Sequence, residues 1–168
     1  ALAEDRAPTD GEIDECRHYV RAALAPVGHE LGGHQPQVAV GSSGTATTVA
    51  AIAVAARGDD VRQMNGVVFS AAELADVAKR VLTASDRRKV DGLDDKRSDI
   101  ILGGVILLQE VFAAFDLQAM TISEYALREG VLFDRFASGS VQDLHDLRRH
   151  NLVRLAQQLD PDPKHAEH

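Results

Sequence analysis

Gly41-Ser42-Ser43-Gly44-Thr45 is the segment of this sequence best equipped for chemistry. It joins a short apolar stretch, Val38–Val40, to an alanine-rich run that begins at Ala46. Glycines let a backbone turn sharply and come close to a ligand. A helix starting here presents unpaired N–H groups and the positive end of its dipole, and Ser42, Ser43 and Thr45 add hydroxyl donors. That geometry suits a phosphate. The same residues also read as an ordinary strand-to-helix turn, with Thr45 as N-cap and Gly44 as a tight-turn residue. The segment has neither the Gly-Lys pair of a Walker A loop nor the GxGxxG spacing.

A second segment is Lys96-Arg97-Ser98-Asp99, followed by Gly103-Gly104 within an apolar helical pattern. Each mid-helix glycine costs about 1 kcal/mol relative to alanine. Two together make sense where another backbone or a ligand comes close. Asp99 suits the positive start of a helix and Arg97 does not, so Arg97 calls for a partner, either Asp94 or an external anion. A third segment is Ile122-Ser123-Glu124-Tyr125-Ala126-Leu127-Arg128-Glu129-Gly130. Here Ser123 reads as an N-cap, Leu127 as inward-facing, and Glu124 with Arg128 as an i,i+4 pair on a solvated face. Gly130 again suggests close packing.

Seven histidines are present, but none pairs with another at a convincing metal spacing. His145, Arg148, Arg149, His150 and Arg154 give the last helical pattern a basic face, which reads as solvated surface. No Ser/His/Asp or Cys/His arrangement emerges, so no catalytic residue is assigned.

The elements that must position these segments follow from periodicity. Thr9 or Asp10 caps a helix to about Val27, with Ile13, Cys16, Val20, Leu24 and Val27 on one apolar face and a stop near Pro26-Gly28. Val38–Val40 is a strand and Ala46–Ala56 a helix buried on most sides. Gly58–Gly66 is a loop. Ser70 and Glu73 have capping-box spacing at the head of a helix to about Thr83. A short helix opens at Ser85 or Asp86 and ends near Gly92. A long helix covers roughly Asp94–Phe115, with Ile100, Gly104, Leu107, Leu108, Val111 and Phe115 on one face. Ala119–Ile122 is a strand, and a helix carries Glu124–Phe136. Ser138-Gly139-Ser140 breaks the chain before an amphipathic helix, Val141–Leu159, and a polar tail. Two strands against six or seven helices, each strand running into a helix, give α/β organisation. Two strands make a poor sheet alone, so further strands are expected outside this sequence.

Composition narrows the function. The chain has 168 residues, 45% hydrophobic and 26% charged, as in a globular domain. No apolar run approaches the ~18 residues that span a bilayer, so no membrane role is expected. The net charge of −8 argues against nucleic acid, which draws on a basic field. Absence of Trp and few other aromatics leave little for base stacking. One cysteine, Cys16, forms no internal disulfide, so a reducing compartment is expected.

Taken together, Gly44-Thr45-Ala46-Thr47-Thr48-Val49-Ala50-Ala51-Ile52, Arg97-x-Asp99-x-Ile101-x-x-Gly104 and Ile122-Ser123-x-x-Ala126-Leu127-Arg128-Glu129-Gly130 resemble the Ppx/GppA exopolyphosphatases and guanosine pentaphosphate phosphatases. The three stretches occur in the family's order, and the match covers about Pro8 to Phe136. The resemblance implies a partial actin-like (ASKHA, ribonuclease H-like) domain, helix-rich with a small incomplete sheet. Residues 1–137 correspond to most of the second domain, and 138–168 to a C-terminal helix and tail. The first domain, its phosphate loop and the glutamate taken as general base do not appear, nor does the Asp-x-Gly-Gly-Gly-Ser loop that should open the second domain. The chain therefore reads as a piece of a longer enzyme, inactive by itself.

What the resemblance implies for the parent is release of terminal phosphate from inorganic polyphosphate or guanosine pentaphosphate, with Mg²⁺ as cofactor held by ligands outside this piece. It also implies a cytoplasmic homodimer linked to the stringent response. Ser42, Ser43, Gly44 and Thr45 become the cleft turn, and Arg97 and Arg128 polar contacts to phosphate or nucleotide. The competing expectation is a non-catalytic α/β ligand-binding or dimerisation module on the same scaffold, since fold does not fix function. A sugar-kinase relative would need an adenosine pocket.

Overall fold

The computed structural model describes residues 6–31, 36–59 and 63–136. By its contacts the chain divides into two units, residues 1–124 and 125–168.

The first unit opens with helix α1, Asp10–Glu30. Thr9 caps it through a capping box with Glu12, and Arg6 donates to the same carboxylate at 2.9 Å. Val20 is buried and Ile13, Cys16 and Leu24 are half-buried, as expected of the inward face, but Val27 at its end is exposed. The helix does not stop at Pro26. Proline removes one N–H and crowds the carbonyl four residues back, but that residue, Ala22, is exposed and its carbonyl can turn to water. Arg21 ties α1 to the rest of the unit by donating from Nε to Glu110 at 2.6 Å.

Strand β1 is Val40–Gly41, starting two residues later and ending one later than expected, and helix α2 is Gly44–Arg57, two residues earlier at its start. Strand β2, Val68–Ser70, was not expected. Three residues ending in the Ser70 N-cap are too few to show alternation. The Ser70–Glu73 capping box opens helix α3, Ala71–Thr83, as its spacing indicates. Strand β3 covers Ala119–Ile122, as expected. The sheet has the order β1-β3-β2. β1 runs parallel to β3, with Gly41 opposite Ile122, and β2 runs antiparallel, with Phe69 opposite Met120.

One face of this small mixed sheet carries Gly41, Ile122, Met120 and Phe69, all buried. Val49 and Ile52 of α2, Leu74 of α3 and Val105 of the next helix complete the core. Phe69 and Phe112 stack with centroids 5.7 Å apart. The other face carries Val40 and Val68, both exposed, and among the described residues β1 is an edge strand.

Between α3 and β3 the expected helix Asp94–Phe115 is divided. Asp86 caps a 3-10 turn at Arg87–Lys89, and Asp94 caps another at Asp95–Arg97. Helix α4 then covers Ile101–Ala114. Side chains explain the interruption. Asp94 accepts from Lys96 N–H at 3.0 Å and Ser98 Oγ donates to Asp95 O at 2.8 Å, and such local bonds compete with helix. Helix α4 is apolar nearly all round, so its inward face was misread. Ile101, Leu102, Val105 and Ile106 are buried while Ile100 and Leu107 are exposed.

The second unit's described part is helix α5, Leu127–Phe136. It begins three residues later than expected, with Glu129 accepting from Ala126 N–H at 2.8 Å. Leu127 is 82% exposed rather than inward, and among the described residues nothing comes within 4 Å of a Cβ built on Gly130. Among the described residues Glu124 is in no ion pair; it precedes α5, and its carboxylate accepts from Met64 N–H at 3.4 Å. The expected helix Val141–Leu159 and the basic cluster from His145 lie outside the described residues. No described helix is long and apolar enough to cross a membrane.

Candidate functional site

The β1–α2 turn stands at the carboxyl end of β1, beside the carboxyl end of its parallel neighbour β3. Ser123 N–H donates to Gly41 O at 2.9 Å and joins the two ends. Ligands of open α/β sheets collect at such carboxyl ends. Ser42 is exposed, between the end of β1 and Ser43. Ser43, not Thr45, is the N-cap: its backbone is extended and its side chain accepts from Ala46 N–H at 3.2 Å. Ser43 O accepts from Thr47 N–H at 3.0 Å and Thr47 Oγ1 at 3.1 Å. These bonds leave the N–H groups of Gly44 and Thr45, the first two helical residues, without an intrahelical acceptor. Gly44 is therefore helical, not a turn residue.

Arg97 closes over this helix start. A Cβ built on Gly44 would stand 2.5 Å from Arg97 Nη2 and 2.7 Å from Cζ. The Asp95–Arg97 turn delivers the guanidinium there, held by Arg97 N–H donating to Asp94 O at 2.8 Å. The side chain is half-buried and makes no ion pair among the described residues, with Asp94 or any other carboxylate. A cation at the positive end of a helix dipole is unfavourable by itself. Arg97 and the α2 start thus concentrate positive potential with no negative charge between them.

Thr45 points elsewhere. Its Cγ2 and Oγ1 lie against Gly104, 2.5 and 3.2 Å from where a Cβ on that glycine would stand. What Thr45 offers to the turn is its N–H, while its methyl fixes α2 on α4. Gly104 is the close-packing position its sequence suggested. Arg128 is exposed on α5 and belongs to the second unit. The structure thus brings Ser43, Gly44, Thr45 and Arg97 together, leaves Ser42 at the rim, and describes Arg128 only within its own unit.

Sequence reasoning passed over Arg87 and Arg88. Arg87 is buried, donating from Nε to Ser98 O at 3.0 Å and from Nη1 to Arg6 O at 3.1 Å. It anchors the segment that carries Arg97. Arg88 pairs with Asp86 at 3.1 Å, which raises the arginine further and lowers the aspartate. These residues line a cavity of about 490 Å³ with Asp95, Ser98 and Asp99. The capping Asp86 ahead of Arg87-Arg88 was the available signal.

The Mg²⁺ that the resemblance implies finds no evident holder here. Among the described residues no group of three His, Cys, Asp or Glu side chains is placed to bind a metal ion.

Comparison with known proteins agrees with this architecture. A model of the Ppx/GppA phosphatase family matches residues 1–138. The chain is similar to a Ppx/GppA family member of Aquifex aeolicus, at 21% identity and a TM-score of 0.67 over 79% of this chain and 43% of that one. It is similar to an exopolyphosphatase from Cytophaga hutchinsonii, at 20% identity and a TM-score of 0.70 over 81% and 45%. A PPX-GPPA enzyme of Aquifex aeolicus matches at 24% identity and a TM-score of 0.63 over 76% and 42%. The chain spans less than half the length of each. At these identities the likeness is one of fold: a helix-rich α/β domain with a small sheet, part of the actin-like architecture.

Proposed function

The chain belongs to the Ppx/GppA phosphatase family, and from that membership we propose that it is most of the second domain of an enzyme releasing terminal phosphate from inorganic polyphosphate or guanosine pentaphosphate. In this reading the β1–α2 turn is one wall of the substrate cleft. Ser43, Gly44 and Thr45 receive phosphate oxygens on backbone N–H groups, Ser42 stands at the rim, and Arg97 neutralises their charge. Such groups stabilise charge that gathers on the transferring phosphoryl oxygens. The water-activating base lies outside this chain, so the chain binds phosphate without hydrolysing it.

The observation that carries the proposal is Arg97, a half-buried guanidinium free of carboxylates among the described residues, lying over the first residue of α2. Inorganic tripolyphosphate tests it. The purified chain should be protected against thermal unfolding by tripolyphosphate, the protection should fall with salt, and no phosphate should be released. Equal protection of Arg97→Ala would sink the cleft reading. Phosphate release by the chain would contradict its proposed inactivity. Concentration-dependent dimerisation without any ligand effect would favour a dimerisation module instead.

A further inference from the structure

We propose that Gly44 is a positioning residue for Arg97: its missing side chain is the space into which the guanidinium fits. The inference rests on the reading of the β1–α2 turn as a phosphate-binding wall. Glycine at this position is not explained by backbone conformation. Gly44 is the first residue of α2 and does not have the positive φ that favours glycine. Alanine there would suit the helix better. What alanine would not suit is the neighbour, because its Cβ would collide with the carbon and two nitrogens of the Arg97 guanidinium.

The collision has one outlet. The backbone on Arg97's side is fixed by the Asp94 cap, by Ser98 N–H donating to Asp95 O at 3.2 Å, and by the buried Arg87 that donates to Ser98 O. The backbone on Gly44's side is fixed too. Gly44 O accepts from Thr48 Oγ1 at 2.8 Å, and Thr45 is lodged against Gly104. The movable part is the end of the Arg97 side chain. A methyl at position 44 therefore leaves the fold standing and swings the guanidinium off the helix start. The missing side chain of Gly44 acts on the ligand through Arg97, separately from the backbone N–H that the proposed function gives it.

A double-mutant cycle on the whole chain tests this, with Gly44→Ala, Arg97→Ala and the double variant titrated with tripolyphosphate by calorimetry. The guanidinium's charge-assisted bonds are worth roughly a tenfold change in affinity. Gly44→Ala should lose about as much affinity as Arg97→Ala, and the double variant no more than either. The Arg97 side-chain N–H resonance should move in Gly44→Ala while its melting temperature stays close to that of the parent chain. Unchanged affinity in Gly44→Ala alongside a loss in Arg97→Ala would overturn the positioning role and leave the phosphate wall intact. A further loss from Gly44→Ala in the Arg97→Ala background would also overturn it, because the methyl would then be blocking phosphate directly. Unchanged affinity in Arg97→Ala would instead remove the phosphate wall itself. An unmoved Arg97 resonance in Gly44→Ala would then remove the positioning role as well.

Discussion

Thr45 and Gly104 meet where α2 lies against α4, with Thr45 Cγ2 2.5 Å from the point a Cβ on Gly104 would occupy. A β-branched side chain is stiff at χ1 and has little room to yield. Gly104→Ala gains up to about 1 kcal/mol of helix propensity and costs about 1–3 kcal/mol in overpacking. The net effect expected in urea denaturation is a loss of about 1–2 kcal/mol. Thr45→Ala in the same chain should recover it by vacating the space. Additive losses in the double variant would refute the contact.

Gly92 carries a different constraint. Its φ is +84°, and a Cβ there would lie 2.6 Å from Ala51 O and 2.8 Å from the Ile52 Cα, both backbone atoms that cannot swing away. Gly92→Ala is expected to cost about 2–4 kcal/mol, combining strain with overpacking. Gly66 has φ +83° but open space around it, so Gly66→Ala should cost only about 1 kcal/mol. Equal costs at the two positions would remove the packing argument.

Much of this fold was legible in the sequence, and the failures have physical causes. Ser70 with Glu73 announced one helix start, because a capping box is local, and Thr9 was one of two caps expected for α1. Val68–Ser70 was missed because so short a strand is defined by its partner Met120 and not by its own pattern. Leu127 was placed inward from a helix start at Ser123 that the structure puts at Leu127. Of the site, the Ser43–Thr45 turn was readable from its glycine and hydroxyl residues. The contact between Gly44 and Arg97 was not, since 53 positions of chain separate them and only the fold closes that distance.

Arg21 is expected to hold α1 in place. The Glu110 carboxylate it meets is buried, and Arg17 reaches the same group only at 3.6 Å. Arg21→Ala leaves that carboxylate poorly paired and should lower the melting temperature. Arg21→Ala in a Glu110→Leu background should cost far less, as read by thermal unfolding. A full loss in that background would show that Arg21 acts through something other than Glu110.

Glu12 gives the chain an acid limb. Arg6, with the Thr9 N–H and hydroxyl, lowers its carboxyl from 4.5 to about 2. A carboxyl depressed in the folded state contributes stability above its ordinary value and loses it as pH falls through the folded one. The start of α1 should therefore loosen between about pH 4.5 and pH 2. Carboxyl carbon NMR should find Glu12 titrating in that window, and Arg6→Ala should move it upward. Titration of Glu12 at its ordinary value in the intact chain would contradict the Arg6 contact.

The central claim is that the start of α2 and Arg97 form one anion-binding surface. Amide NMR of the isotopically labelled chain during a tripolyphosphate titration reads it directly. Saturable shifts are expected at Ser43, Gly44 and Thr45 and at the Arg97 side chain, all weakened by added salt. Shifts confined to other surfaces, or none at these four residues, would contradict it.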